Sequence, residues 1–290
     1  MCTLRNALKE REFLISDGGM GTTLMEWGLK PGEFPEIWNI EHPDVVVEIH
    51  RQFIEAGVDI IQTNTFSANR HRMPEFPIRS INDIGVSLAE KAAYGRNVFL
   101  VGSIGPSGGL LKPYGDLTPE YLREVFSEQI NALAESGVDG FFIETQISLE
   151  EAKIALKVAK ETGLPVAVSM VFSVDCGTTS MGEKLYNVML ALENSGADVI
   201  GVNCIHPDYA CKYLSEIRRV TSSGLLIAQP NAGSPHLFKG KTEYNISPEE
   251  MAGFAEEYRK LGARIIGGCC GVTPEHIKSI SQRLRGLPCS

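Results

Sequence analysis

The chain has 290 residues, enough for one compact domain to bury roughly three quarters of its unfolded surface. Hydrophobic residues make up 43% and charged residues 22%, and no apolar run nears the roughly 18 residues of a membrane helix, which excludes a helical span. Lys and Arg number 27 against 36 Asp and Glu, a net charge of −9, and no basic stripe offers itself to a phosphate backbone, so neither a membrane nor nucleic acid is an expected partner.

The first residues, Met1-Cys2-Thr3-Leu4-Arg5-Asn6, lack the basic-then-apolar pattern of a signal peptide, so a cytoplasmic protein with reduced thiols is expected. Seven cysteines, an odd number spread along a long chain, fit metal binding or catalysis better than a disulfide framework.

In chain order, a short apolar strand at 13–16 runs into Asp17-Gly18-Gly19-Met20-Gly21-Thr22. A helix over 43–56 ends in Glu55-Ala56-Gly57, and a buried strand, Val58-Asp59-Ile60-Ile61, follows and finishes in Thr63-Asn64-Thr65. A strand at 97–103 precedes the glycine-rich loop Gly105-Pro106-Ser107-Gly108-Gly109. A helix at 119–135 leads into Gly137-Val138-Asp139-Gly140-Phe141 and a strand ending in Glu144-Thr145. Next come a helix at 148–162, a strand at 165–172, and Gly196-Ala197-Asp198-Val199-Ile200, whose strand ends in Asn203-Cys204. A helix at 207–220, a strand at 225–229 ending in Pro230-Asn231, and a helix at 248–261 precede Gly262-Ala263-Arg264-Ile265-Ile266, which runs into Gly268-Cys269-Cys270-Gly271.

Four of these segments echo one another: a helix closes on a glycine suited to the left-handed C-cap, and a β-branched run follows. Eight strands alternate with helices, about 36 residues per unit, as in a (β/α)8 TIM barrel of typical length. A single α/β domain over residues 1–290 is expected. The rival is a doubly wound open sheet, but no Gly-x-Gly-x-x-Gly fingerprint follows the first strand.

Such a barrel builds its active site at the C-terminal ends of the strands. Cys204, Cys269 and Cys270 end strands that flank a common neighbour, and the glycines around the cysteine pair allow both thiols to face one side. Three thiolates favour Zn²⁺ and leave one tetrahedral position open, which an exogenous thiol could take and there become a nucleophile. The competing reading is a small core cysteine beside a packed pair or a vicinal disulfide. His206 could replace one thiolate; Cys2, Cys176, Cys211 and Cys289 carry no such signal. Asp17 with the amides of Gly18 and Gly19, and Glu144, match the two ends of an amino-acid zwitterion; a tight turn with an aspartate cap is the plainer alternative. The 105–109 loop reads as a mobile barrel-top loop that could touch substrate or partner, or as a plain connector, and Trp27, Trp38 and Tyr114 as parts of an aromatic wall or as packing.

Asp17-Gly18-Gly19-Met20-Gly21-Thr22, Gln62-Thr63-Asn64-Thr65-Phe66, Gly201-Val202-Asn203-Cys204, Gln229-Pro230-Asn231-Ala232-Gly233 and Gly267-Gly268-Cys269-Cys270-Gly271-Val272-Thr273-Pro274-Glu275-His276 resemble, in order, the homocysteine S-methyltransferase family. Within it the likeness is to the homocysteine-binding module of cobalamin-dependent methionine synthase, from about Phe13 to Leu284. The resemblance implies a (β/α)8 barrel that binds Zn²⁺ through Cys204, Cys269 and Cys270 and forms methionine from L-homocysteine. Asp17 and Glu144 would hold the amino group, Gly18 and Gly19 the carboxylate, and Asn231 would supply an oxygen to the open zinc position until substrate arrives.

Departures from the family concern the methyl donor. Ser67 and Thr145 stand where a betaine-using relative carries aromatic residues, and no Asp-x-His-x-x-Gly cobalamin signature occurs before the sequence ends at Ser290. The expected donor is therefore methylcobalamin carried by a separate corrinoid protein, with S-methylmethionine, S-adenosylmethionine or another small onium compound as the alternative. A non-catalytic zinc-thiolate redox sensor is a rival of another class. A zinc hydrolase fits poorly, since thiolate-rich ligation makes zinc a weak Lewis acid and Glu144 is the one available base.

Overall fold

A computed structural model describes residues 3–221, 224–238 and 241–287. Eight parallel strands form the barrel expected from the alternation: β1 (Leu14–Ile15), β2 (Ile60–Gln62), β3 (Phe99–Ile104), β4 (Gly140–Gln146), β5 (Val166–Met170), β6 (Val199–Asn203), β7 (Leu225–Gln229) and, after a hairpin of β8 (His236–Phe238) and β9 (Lys241–Glu243), β10 (Ala263–Ile266). The ladder runs β1-β10-β7-β6-β5-β4-β3-β2, and a parallel bridge between Ser16 and Ile60 brings its two ends together. The open-sheet alternative is thereby excluded.

The echoed segments fold alike. Gly57, Gly137, Gly196 and Gly262 all take φ between 83° and 98°, the left-handed turn that ends each helix. The aspartate two residues beyond the first three glycines explains the rest of the echo. Asp59 Oδ2 accepts the Ile15 amide at 2.9 Å, Asp139 Oδ2 that of Leu100 at 2.8 Å, and Asp198 Oδ2 that of Val166 at 2.9 Å. Each carboxylate thus occupies an amide at the start of the neighbouring strand, where the ladder alone would leave it bare. Arg264 breaks the pattern in the fourth copy.

Helices Pro43–Glu55, Ile78–Ala93, Pro119–Glu135, Leu149–Glu161, Leu185–Asn194, Pro207–Arg218, Pro248–Lys260 and Pro274–Arg285 ring the barrel. Five of them open on proline, while Ser148 caps Leu149–Glu161 and Ser247 caps Pro248–Lys260, each side chain accepting a first-turn amide. Their apolar faces and the outward side chains of the strands make the larger core.

A second core fills the barrel's lower interior. The helix Leu4–Glu10, which the sequence reading left unassigned, sets Leu4, Ala7 and Leu8 against one or more residues from each of the eight strands, Leu14, Ile60 and Ile265 among them. The N-terminal end of the barrel is thus plugged, and the polar strand ends lie at the opposite mouth. No helix among the described residues is long and apolar enough to cross a membrane.

Candidate active site

The barrel mouth holds a cavity of about 360 Å³ whose walls include Asp17, Gly18, Glu144, Cys204, Cys269 and Cys270. The cysteines arrive by two routes. Cys204 follows the last residue of β6 with φ +55°. Cys269 and Cys270 lie beyond β10 in a turn that the Val272 amide closes onto the Cys269 carbonyl at 3.1 Å, so they have left strand geometry and their thiols share one side.

The three Sγ atoms lie within 4.8 Å of one another, and those of Cys269 and Cys270 are 3.9 Å apart. A tetrahedral zinc with Zn–S bonds near 2.3 Å spaces its sulfurs about 3.8 Å apart, so the donors fit that ion. The separation is about twice a disulfide bond, and all three thiols are free. Hydrogen bonds from Cys204 and then Cys269 pull the Cys270 thiol down to about 3, while hydrogen bonding to Cys204 and Cys270 pushes Cys269 well up.

The cysteine turn is fixed on both flanks. The Gly268 amide donates to the Asp17 carbonyl at 3.0 Å, Cys269 to Pro230 at 2.8 Å, and Gly271 to Thr22 Oγ1 at 3.1 Å. Asn231 Oδ1 accepts the Cys270 amide at 3.1 Å, so this residue holds the turn from the side of β7. The Tyr244 ring, delivered by the strand pair β8–β9, covers Gly271, where a Cβ would meet it at 2.2 Å.

Asp17 is buried and both its oxygens are engaged: Oδ2 by the Gln62 amide at 2.8 Å and Oδ1 by Gln62 Nε2 at 3.0 Å. Burial nevertheless pushes its carboxyl up to about 7. Glu144 is also buried. Ser103 Oγ donates to its Oε1 at 2.5 Å, yet burial, with the nearby charges of Asp17 and Cys270, pushes it up to about 7 as well. Two carboxylates short of counter-charge in one cavity suit an ammonium ion.

Gly18 packs so closely that a Cβ would sit 2.2 Å from the Val272 carbonyl oxygen. The two glycine amides differ from expectation, because the Gly19 N–H already donates to Val272 O at 3.0 Å, whereas that of Gly18 has no acceptor among the described residues.

The structure resolves other sequence expectations. Trp27 is half exposed, Trp38 is buried against His42 with ring centroids 4.3 Å apart, and Tyr114 is exposed; none of them lines the cavity, whose aromatic wall is Phe66. The 105–109 loop is pinned rather than loose, with the Gly105 amide on Phe66 O at 2.8 Å and the buried Ser107 amide on Glu151 Oε1 at 2.6 Å. His206 caps the helix Pro207–Arg218, its Nδ1 accepting the Asp208 amide, and stands outside the thiol cluster. Cys176 is exposed and Cys211 lies on a helix, while Cys2 and Cys289 fall outside the described residues. Asn203, Gln62, Ser103 and Tyr244 support the site without having been singled out as site residues; the first two stood in the motifs at the strand ends.

Comparison with known proteins agrees with this geometry. The homocysteine S-methyltransferase family matches residues 14–284. Methionine synthases of Mycobacterium leprae and Mycobacterium tuberculosis are each 30% identical, over 92% and 98% of this chain, which spans about a quarter of their length (24% and 25%). Among solved structures, the homocysteine methyltransferase MmuM from Escherichia coli in its metallated form superposes with a TM-score of 0.80 at 23% identity, covering 97% of this chain and 99% of that one, a likeness of fold. Its apo form gives 0.76 at 22% identity over the same shares. With the family matched from β1 into the last helix and its cysteine motif folded into one cluster, the chain belongs to the homocysteine S-methyltransferase family.

Proposed function

We propose that the chain is a zinc-dependent methyltransferase that converts L-homocysteine to methionine, taking the methyl group from methylcobalamin carried by a separate corrinoid protein. The observation that carries this reading is the cluster of three thiols, all within 4.8 Å, on the wall of a cavity that two buried carboxylates share. Cys204, Cys269 and Cys270 would hold the zinc, which, when bound, lowers the pKa of the substrate thiol so that it is a nucleophile near neutral pH.

The protein groups do the positioning. Asp17 and Glu144 accept the substrate ammonium, and its charge in turn stabilises both as carboxylates. The free amide of Gly18 is left for the substrate carboxylate, with Gly19 shaping the turn. Asn231 keeps the Cys270 loop in place through Oδ1, and the second lone pair of that oxygen would be available to the metal before substrate arrives. Held at both ends, the sulfur meets the methyl carbon without orientational search.

The donor assignment rests on the likeness to methionine synthases and on the rim of the mouth, where Leu110, Tyr114, Val174 and Leu237 stand exposed on the segments following β3, β5 and β7. Apolar groups in that position suit a protein that brings the methyl group from outside. Phe66 alone makes a poor cage for a quaternary ammonium.

Zinc X-ray absorption with metal stoichiometry, before and after L-homocysteine, tests the site. About one zinc with three sulfurs, gaining a fourth on addition, is the expected result; a shell that ignores homocysteine would favour the redox-sensor reading. A donor screen follows, in which turnover with S-methylmethionine or S-adenosylmethionine and none with a methylated corrinoid protein would overturn the donor assignment.

A further inference from the structure

Asn203, the last residue of β6, is fully buried and spends its whole side-chain amide on its neighbours at the barrel mouth. Its Oδ1 accepts the Thr145 backbone amide and Ser169 Oγ, both at 2.9 Å. Its Nδ2 donates to Thr145 Oγ1 at 2.7 Å and reaches Glu144 Oε2 at 3.5 Å. The amide therefore spans β5 to grip β4, where the pairing of β4 with β5 shifts register between Ile143 and Gln146, and the residues inside that irregularity are Glu144 and Thr145.

Backbone strain marks the same place. Thr145 at φ +59° and Cys204 at φ +55° are the two non-glycine residues with positive φ among the described residues. A β-branched residue rarely holds that conformation unless its surroundings dictate it, and here the Thr145 N–H and hydroxyl are both fastened by Asn203. Bulges beside active sites commonly re-aim a side chain. Here the strand resumes at Gln146, and Glu144, within the irregularity, lines the cavity.

We propose that Asn203 is a positioning residue for the amino-group clamp: it holds the Glu144–Thr145 bulge in the shape that aims the Glu144 carboxylate at the substrate ammonium. The inference rests on the reading of Glu144 as an ammonium partner. No other side chain of this size serves. Aspartate would lose both donors and set a second carboxylate against Glu144, and serine is too short to span β5.

The test is a double-mutant cycle on zinc-loaded full-length protein, read by calorimetric binding of L-methionine, which has the amino-acid head and no thiol to titrate. Asn203→Ser is expected to weaken binding about tenfold with one zinc still bound per chain, and Glu144→Gln to weaken it as much or more. The double variant should bind no more weakly than Glu144→Gln alone, because the position that Asn203 guards no longer carries the charge. Ser169→Ala removes a single bond from Asn203 Oδ1 and carries the same cycle if Asn203→Ser does not fold, with a loss of a few fold that vanishes in the Glu144→Gln background.

Factors that multiply in the double variant, or zinc lost along with methionine, would overturn the inference and leave Asn203 a structural residue. An unaltered affinity in Glu144→Gln would instead sink the clamp reading itself and the inference with it.

Discussion

Replacing Glu144 by glutamine is expected to stabilise the protein and cripple its ligand binding, with the two effects separable by pH. Burial pushes this carboxyl from its ordinary 4.5 up to about 7. The folded chain therefore keeps a proton that the unfolded chain has released, and stability falls as pH rises from about 4.5 to about 7, then levels off. At 1.36 kcal/mol per pH unit that interval amounts to about 3 kcal/mol. Glutamine keeps an oxygen for Ser103 Oγ and has no charge to bury, so the variant escapes the loss.

For a chain of this length, with an unfolding entropy of about 2.1 cal/mol/K per residue, 3 kcal/mol corresponds to a Tm higher by about 5 °C. Thermal melts of wild type and Glu144→Gln at pH 5 and pH 8 measure it: within about 1 °C of each other at pH 5, the variant higher by about 5 °C at pH 8. Calorimetry at pH 8 should show L-methionine binding weakened tenfold or more, the loss of a charged hydrogen bond. A Tm difference that is the same at both pH values would refute the buried-charge argument, and unchanged methionine binding would refute the assignment of the ammonium.

Replacing Cys204, Cys269 or Cys270 singly by serine should weaken zinc binding more than a hundredfold in chelator competition while circular dichroism stays unchanged, since the barrel core lies apart from the cluster. Methionine affinity should fall roughly tenfold to a hundredfold from pH 8 to pH 6 as Asp17 and Glu144, both near 7, take up protons; binding at pH 7 should release protons, seen as a buffer-dependent heat. Leu8→Ala should remove about 2–5 kcal/mol of stability, read as a Tm lower by about 3–8 °C, because it empties part of the barrel plug. Turnover per folded molecule should be unchanged in that variant.

The barrel was legible because its chemistry is local. A glycine that ends a helix, an aspartate two residues later and a β-branched run say the same thing three times over, and β7 begins and ends where its composition says. The thiol cluster was legible because strand ends converge in this architecture. What escaped depends on contacts made far along the chain. Leu4–Glu10 is too short to show a helical period, and its leucines are apolar for the sake of eight strands that come later. Nothing in the letters of Thr145 and Cys204 announces a left-handed backbone, which neighbours impose. The Gly19 amide looked free for substrate until Val272 folded back upon it, and the sequence left Trp38 open between cavity wall and packing until it packed on His42.

The plugged end of the barrel bears on how the chain is made. Leu4 and Leu8 leave the ribosome well before the strand that carries Ile265, which emerges about 260 residues later, some 13 to 50 seconds at ordinary elongation rates of about 5–20 residues per second. Until then the little helix has no completed floor to enter, and seven residues alone are too few to hold helical form in water. The helix is therefore still waiting to dock when β10 emerges, and its docking closes the floor of the barrel: an assembly that lacks a strand leaves part of the apolar face of Leu4 and Leu8 uncovered.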